Sequence, residues 1–82
     1  EAELLAACYR NALALAQEKE LGSIAFPSIS TGVYGYPITA AARIAVETTR
    51  AALGDCESLD VVFCCFSAAD LAVYVELLEA YP

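Results

Sequence analysis

From Glu1 to Lys19 apolar side chains return at helical intervals, with Leu4, Cys8, Ala12 and Leu15 on one face, acids in the first turn and Gly22 beyond as a stop. This predicts a first helix. Ser23 to Phe26 is short and apolar and closes on Pro27, which has the form of a buried strand ending before the proline. Pro37 suits a first helical position, where no hydrogen bond is lost, and ITAAARIAVETTRAAL carries a second helix to Gly54. Its alanines permit close packing on a sheet. After the turn DCESLD, Val61 to Phe66 is a continuous run of β-branched, aromatic and cysteine residues, a second strand. Ser67 and Asp70 have the spacing of a capping box, and Leu71, Tyr74, Val75 and Leu78 form the stripe of a third helix ending near Tyr81.

The order is α-β-α-β-α, and a strand, helix, strand unit of this length implies a right-handed crossover between parallel strands. The fold class is therefore α/β. Both strands read as buried on both faces, yet two strands and three helices cannot cover such a sheet, and its edges would be left bare. With 82 residues the chain makes one domain at most. The expectation is that residues 1–82 are the C-terminal portion of a single larger domain, whose N-terminal remainder is an obligatory partner.

Composition narrows the ligand. The chain is 60% hydrophobic, but it lacks a run of roughly 18 apolar residues that would read as a membrane span, so a soluble protein is expected. Four Lys and Arg against eleven Asp and Glu give a net charge of −7, which argues against nucleic acid as a partner. An anion would have to be held by something other than basic side chains. Cys8, Cys56, Cys64 and Cys65 show no CxxC spacing and there is no histidine, so neither zinc nor any other metal or cofactor is called for. Cys64 and Cys65 are read as buried small hydrophobes on opposite faces of a strand in preference to a redox pair, which points to a reducing, cytoplasmic compartment. The opening EAELLAACYRN lacks the basic flank and apolar core of a signal peptide.

The segment SISTGVYGYP, Ser28 to Pro37, leaves the first strand and enters the second helix. Ligands of parallel sheets sit beyond the carboxyl ends of strands, so the position suits a site. Gly32 and Gly35 allow positive φ and close approach, so successive N–H groups can converge on an anion, helped by the partial positive charge of the following helix. The plain alternative is a strand-to-helix turn built from turn-forming residues. A serine nucleophile is disfavoured, because the chain has no histidine to activate Ser28, Ser30 or Thr31. Tyr34 and Tyr36 fit either packing beneath the loop or a sugar contact.

The run SIAFPSISTGVYGYP, followed by AARIAVETTR and VVFCCFSAADLAVYVELL, closely resembles the C-terminal half of macrodomains, in particular the MacroD-like group that acts on ADP-ribose derivatives. The preceding CYRNALALAQEKELGS matches the element before this strand in the family, so the likeness covers nearly the whole chain. It implies a three-layer α/β/α macrodomain-like fold. It also assigns diphosphate and distal-ribose contacts to Ser30, Thr31, Gly32, Val33 and Tyr34, with Gly35 shaping the turn. Phe66 falls where the family packs an aromatic ring on adenine, its alternative being an ordinary core side chain. Ser28 and Ile38-Thr39 depart from the family's usual residues without bearing on the phosphates. The family's asparagine-containing segment, glycine-rich first loop and acidic residues map onto nothing here, so catalytic residues are expected upstream of Glu1.

Three functions follow from this reading. The first is the ADP-ribose-binding part of a hydrolase acting on O-acyl-ADP-ribose or mono-ADP-ribosyl linkages, inactive as this portion alone. The second is a non-catalytic reader of ADP-ribose or of ADP-ribosylated protein. The third is a structural α/β fragment without a ligand.

Overall fold

A computed structural model describes residues 2–27, 37–54, 58–65 and 67–80. Helix α1 spans Ala2–Glu18, strand β1 Ser23–Pro27, helix α2 Ile38–Leu53, strand β2 Asp60–Cys64 and helix α3 Ala68–Ala80. The predicted order is observed, and β1 and β2 are parallel, in register from Ser23 opposite Asp60 to Pro27 opposite Cys64. The second strand starts one residue earlier and stops sooner than the apolar run suggested. The first includes Pro27 as its final residue, where a missing N–H costs the ladder least.

Helix α1 buries Leu5, Tyr9, Leu13 and Ala16, one position round from the expected stripe. Leu4 is 70% and Leu15 54% exposed, Cys8 is exposed, and Ala12 is only partly buried. The helix carries two apolar stripes about 100° apart, and packing selects the one with the tyrosine. Tyr9 meets Phe26 of β1 edge-on with ring centroids 4.8 Å apart. Phe26 stacks on its register partner Phe63 at 6.3 Å, and Phe63 on Tyr74 of α3 at 5.1 Å. The Tyr9 and Tyr74 hydroxyls share a hydrogen bond, which satisfies polar groups that would otherwise be buried unpaired. Burial, foremost, pushes both phenols up in pKa, so both stay neutral.

These rings lie on one face of the sheet, and α1 and α3 pack there. Helix α2 lies against both other helices through Ala41, Ala42, Ala45 and Val46, whose small side chains permit close approach. The strands therefore alternate. Ile24, Phe26, Val61 and Phe63 join the core, while Ala25, Val62 and Cys64 are exposed, and the expectation of burial on both faces does not hold in this chain. Its reason is physical: the described helices cover a single face. Helix α3 departs likewise, since Tyr74 is buried with Val73 and Leu77 packed beside it, whereas Leu71, Val75 and Leu78 of the expected stripe are exposed.

The helix ends show how local chemistry sets these bounds. Glu20, not Gly22, turns the chain out of α1 with φ of 56°. Its N–H donates to the Gln17 carbonyl at 3.1 Å and that of Leu21 to Ala16 at 3.0 Å, the pairing of a Schellman motif. A residue with a Cβ is strained there, so Glu20→Gly should stabilise the whole domain by roughly 0.5–1 kcal/mol, seen as a higher urea midpoint at constant slope. An unchanged midpoint would mean that the turn absorbs the strain. Pro37 caps α2 from one position before its first turn, its carbonyl accepting from the Ala41 N–H at 2.9 Å, and Gly54 closes the helix with φ of 55°. Ser67 Oγ accepts from the Asp70 N–H at 3.1 Å, as a capping serine does, and Asp70 in the first turn suits the dipole of α3.

Candidate functional site

The carboxyl ends of β1 and β2 adjoin, because Pro27 and Cys64 are register partners. Two segments leave the sheet from that rung: residues 28–36, which lead to the N-terminus of α2 at Pro37, and residues 65–67, which lead into α3. In chain order each strand end is thus followed by a helix N-terminus, that of α3 after three residues and that of α2 after the longer connection. The unpaired N–H groups of a first turn and the positive end of the helix dipole favour an anion at such an edge. Backbone donors of this kind suit a chain whose formal charge is −7. The sequence-predicted contacts Ser30, Thr31, Gly32, Val33, Tyr34, Gly35 and Phe66 lie outside the described residues. What the structure places is their frame: Pro27 and Pro37 on either side of the loop, and Cys65 and Ser67 flanking Phe66.

The rungs beneath that edge are held by the aromatic cluster. Phe26 and Phe63 form the pair next to the last, and Tyr9 and Tyr74 pin them from α1 and α3. Such pairs contribute about 0.5–1.5 kcal/mol each beyond their buried area. Reading the chain by apolar spacing alone overlooked this role for Tyr9; the signal was its identity as the largest side chain on the alternative stripe.

The cysteines divide by face as expected, but not by burial. Cys64 is exposed on the uncovered face and Cys65 is half-buried, so the reading of both as buried hydrophobes is corrected. Cys65 Sγ lies 3.9 Å from the Phe63 carbonyl, and its thiol is pushed up in pKa by partial burial first and then by Asp70 and Cys64. A thiol held protonated is a poor nucleophile. Away from the strand ends, a shallow depression between α1 and the later turns of α2 is lined by Arg10, Glu47, Thr48, Ala51 and Ala52. Arg10 is already ion-paired with Glu3 there. Among the described residues no helix is long and apolar enough to cross a membrane.

A parallel crossover with a glycine-bearing strand-to-helix connection at its carboxyl edge places this chain in the α/β class, in which ligands sit beyond the carboxyl ends of the strands. The family model described as Macro domain matches residues 1–45, more than half of the chain, which belongs to that family. A macro domain-containing protein of Ralstonia nicotianae, RSc0334, is 64% identical over 79 residues, covering 96% of this chain and 45% of that protein. The O-acetyl-ADP-ribose deacetylase of Klebsiella pneumoniae is 51% identical over 83 residues, covering 100% of this chain and 47% of that enzyme. The chain spans about half the length of the curated relatives it matches. Among solved structures, the Oceanobacillus iheyensis macrodomain with ADP superposes with a TM-score of 0.90 at 51% identity, over 98% of this chain and 42% of that one. The Trypanosoma brucei macrodomain in complex with ADP-ribose gives 0.87 at 39% identity, over 95% of this chain and 34% of that one. The α/β/α fold class expected from the sequence is thereby shown, with this chain supplying two parallel strands and the helices of one face.

Proposed function

We propose that this chain forms the ADP-ribose-binding half of a macro domain that hydrolyses O-acyl-ADP-ribose or mono-ADP-ribosyl linkages. The observation that carries the proposal is the 51% identity, over the whole chain, to an O-acetyl-ADP-ribose deacetylase. The solved relatives holding ADP and ADP-ribose support the ligand. In this reading the backbone amides of Ser30, Thr31, Gly32, Val33 and Tyr34 hold the diphosphate and distal ribose, and Gly35 shapes the turn. Phe66 packs on the adenine. The chain has no histidine, and its part in the reaction is to bind and position; positioning alone can supply several kcal/mol of a barrier.

Phe66→Ala tests the adenine contact. In the whole domain it should weaken ADP-ribose binding by roughly 1–3 kcal/mol, the range for base stacking on an aromatic ring, and leave ribose 5-phosphate affinity nearly unchanged. Calorimetry with both ligands decides the matter, since equal losses would assign Phe66 to the fold alone. Absence of any ADP-ribose affinity in the unmutated domain would overturn the proposal as a whole.

A further inference from the structure

Both chain neighbours of Phe66 are anchored. Cys65 packs against the core, its thiol donating to the Phe63 carbonyl at 3.9 Å. Ser67 caps α3, its Oγ accepting from the Asp70 N–H at 3.1 Å and its carbonyl from the Leu71 N–H at 3.0 Å. The first anchor moves with β2 and the second with α3, so the short span between them takes its course from how strand and helix are set against each other. A ring contact joins the two: Phe63 of β2 stacks on Tyr74 of α3, with centroids 5.1 Å apart and planes 28° from parallel. Tyr74 is buried, and its hydroxyl is tied to that of Tyr9 on α1, which limits rotation of the ring. The other arm of the ligand edge is held by a different ring, since Tyr9 meets Phe26 of β1, the strand that leads into residues 28–36.

On the reading in which Phe66 packs on adenine, we propose that Tyr74 is a positioning residue for the base end of the ligand, setting the 65–67 connection through its stack on Phe63. Tyr74 lies in the core and acts only through Phe66. Its loss therefore falls on ligands that carry the base, while the phosphate and ribose end, reached from β1, keeps its own support.

The test compares ADP-ribose with ribose 5-phosphate by calorimetry on the whole domain. Tyr74→Leu removes the stack and the hydroxyl but keeps an apolar side chain, and should weaken ADP-ribose binding about tenfold, within the range of one base stack, with ribose 5-phosphate changed by less than about twofold. Tyr74→Phe keeps the ring and frees it, and should cost about threefold for ADP-ribose alone; it carries the test should the leucine variant fail to fold. In a Phe66→Ala background neither substitution should weaken binding further, because residues that act through one contact are not additive. Leu13→Ala, buried on α1 outside the ring stack, is the control for stability: its melt should fall while both affinities hold. Equal losses for the two ligands, unchanged ADP-ribose affinity in every Tyr74 variant that folds, a full further loss on top of Phe66→Ala, or the same selective loss in Leu13→Ala would each overturn the inference while the ADP-ribose reading stands. An unmutated domain without affinity for ADP-ribose would overturn that reading and the inference with it.

Discussion

Gly32→Glu is expected to abolish measurable ADP-ribose binding by the whole domain while changing its melting temperature little. The proposed contacts are backbone amides, and the chain carries only four Lys and Arg against eleven Asp and Glu. A side chain at Gly32 would occupy volume the diphosphate needs, and a carboxylate would add like-charge repulsion with no basic residue in SISTGVYGYP to offset it. Gly32→Ala should fall between, since it adds a Cβ and no charge. The effect on stability should be small, because a connecting loop contributes little to a core made elsewhere from Tyr9, Leu13 and Val46. Titration calorimetry beside thermal melts reads both quantities. Near-native affinity in the glutamate variant, at an unchanged melt, would place the phosphates away from this loop.

Leu13→Ala should destabilise the whole domain by about 2–5 kcal/mol, the range for a buried leucine truncated in a core that cannot fully close. Leu13 has no exposed surface and sits between Tyr9 and Ala16 on the stripe of α1 that joins the core. Leu15→Ala makes the control. The two leucines are two residues apart in one helix and have equal propensity, yet Leu15 is 54% exposed, so its truncation should cost well under 1 kcal/mol. Urea melts of the two variants at matched conditions give the difference directly. Equal losses would contradict the packing phase of α1.

That pair also marks where the sequence stops being decisive. A helix over 2–18 was legible from periodicity, since either phase of the pattern, Leu4-Cys8-Ala12-Leu15 or Leu5-Tyr9-Leu13-Ala16, has helical spacing. Which phase is buried depends on Phe26, a residue of another element, and no local signal contains it. Helix α3 carries apolar residues on every side among its three acids, so its own stripe is undetermined by pattern, and contact with Phe63 selects Tyr74. Register is likewise non-local: the partnership of Pro27 with Cys64 sets side by side the two strand ends that carry the proposed diphosphate loop and Phe66.

The sequence by itself determined the order of elements, the bounds of α2 between Pro37 and Gly54, the cap at Ser67 and the family resemblance borne by STGVYGYP. Each is written in residues close together in the chain, through missing donors, left-handed glycine and side-chain oxygens that reach only a turn away. The tertiary structure alone decided that α1 turns Tyr9 inward, that one face of the sheet carries the described helices, and that Val62 and Cys64 stand on the other. Those outcomes depend on which surfaces meet across the fold. Burial is not directional, and an apolar run offers the same gain to either face until a partner fills one of them.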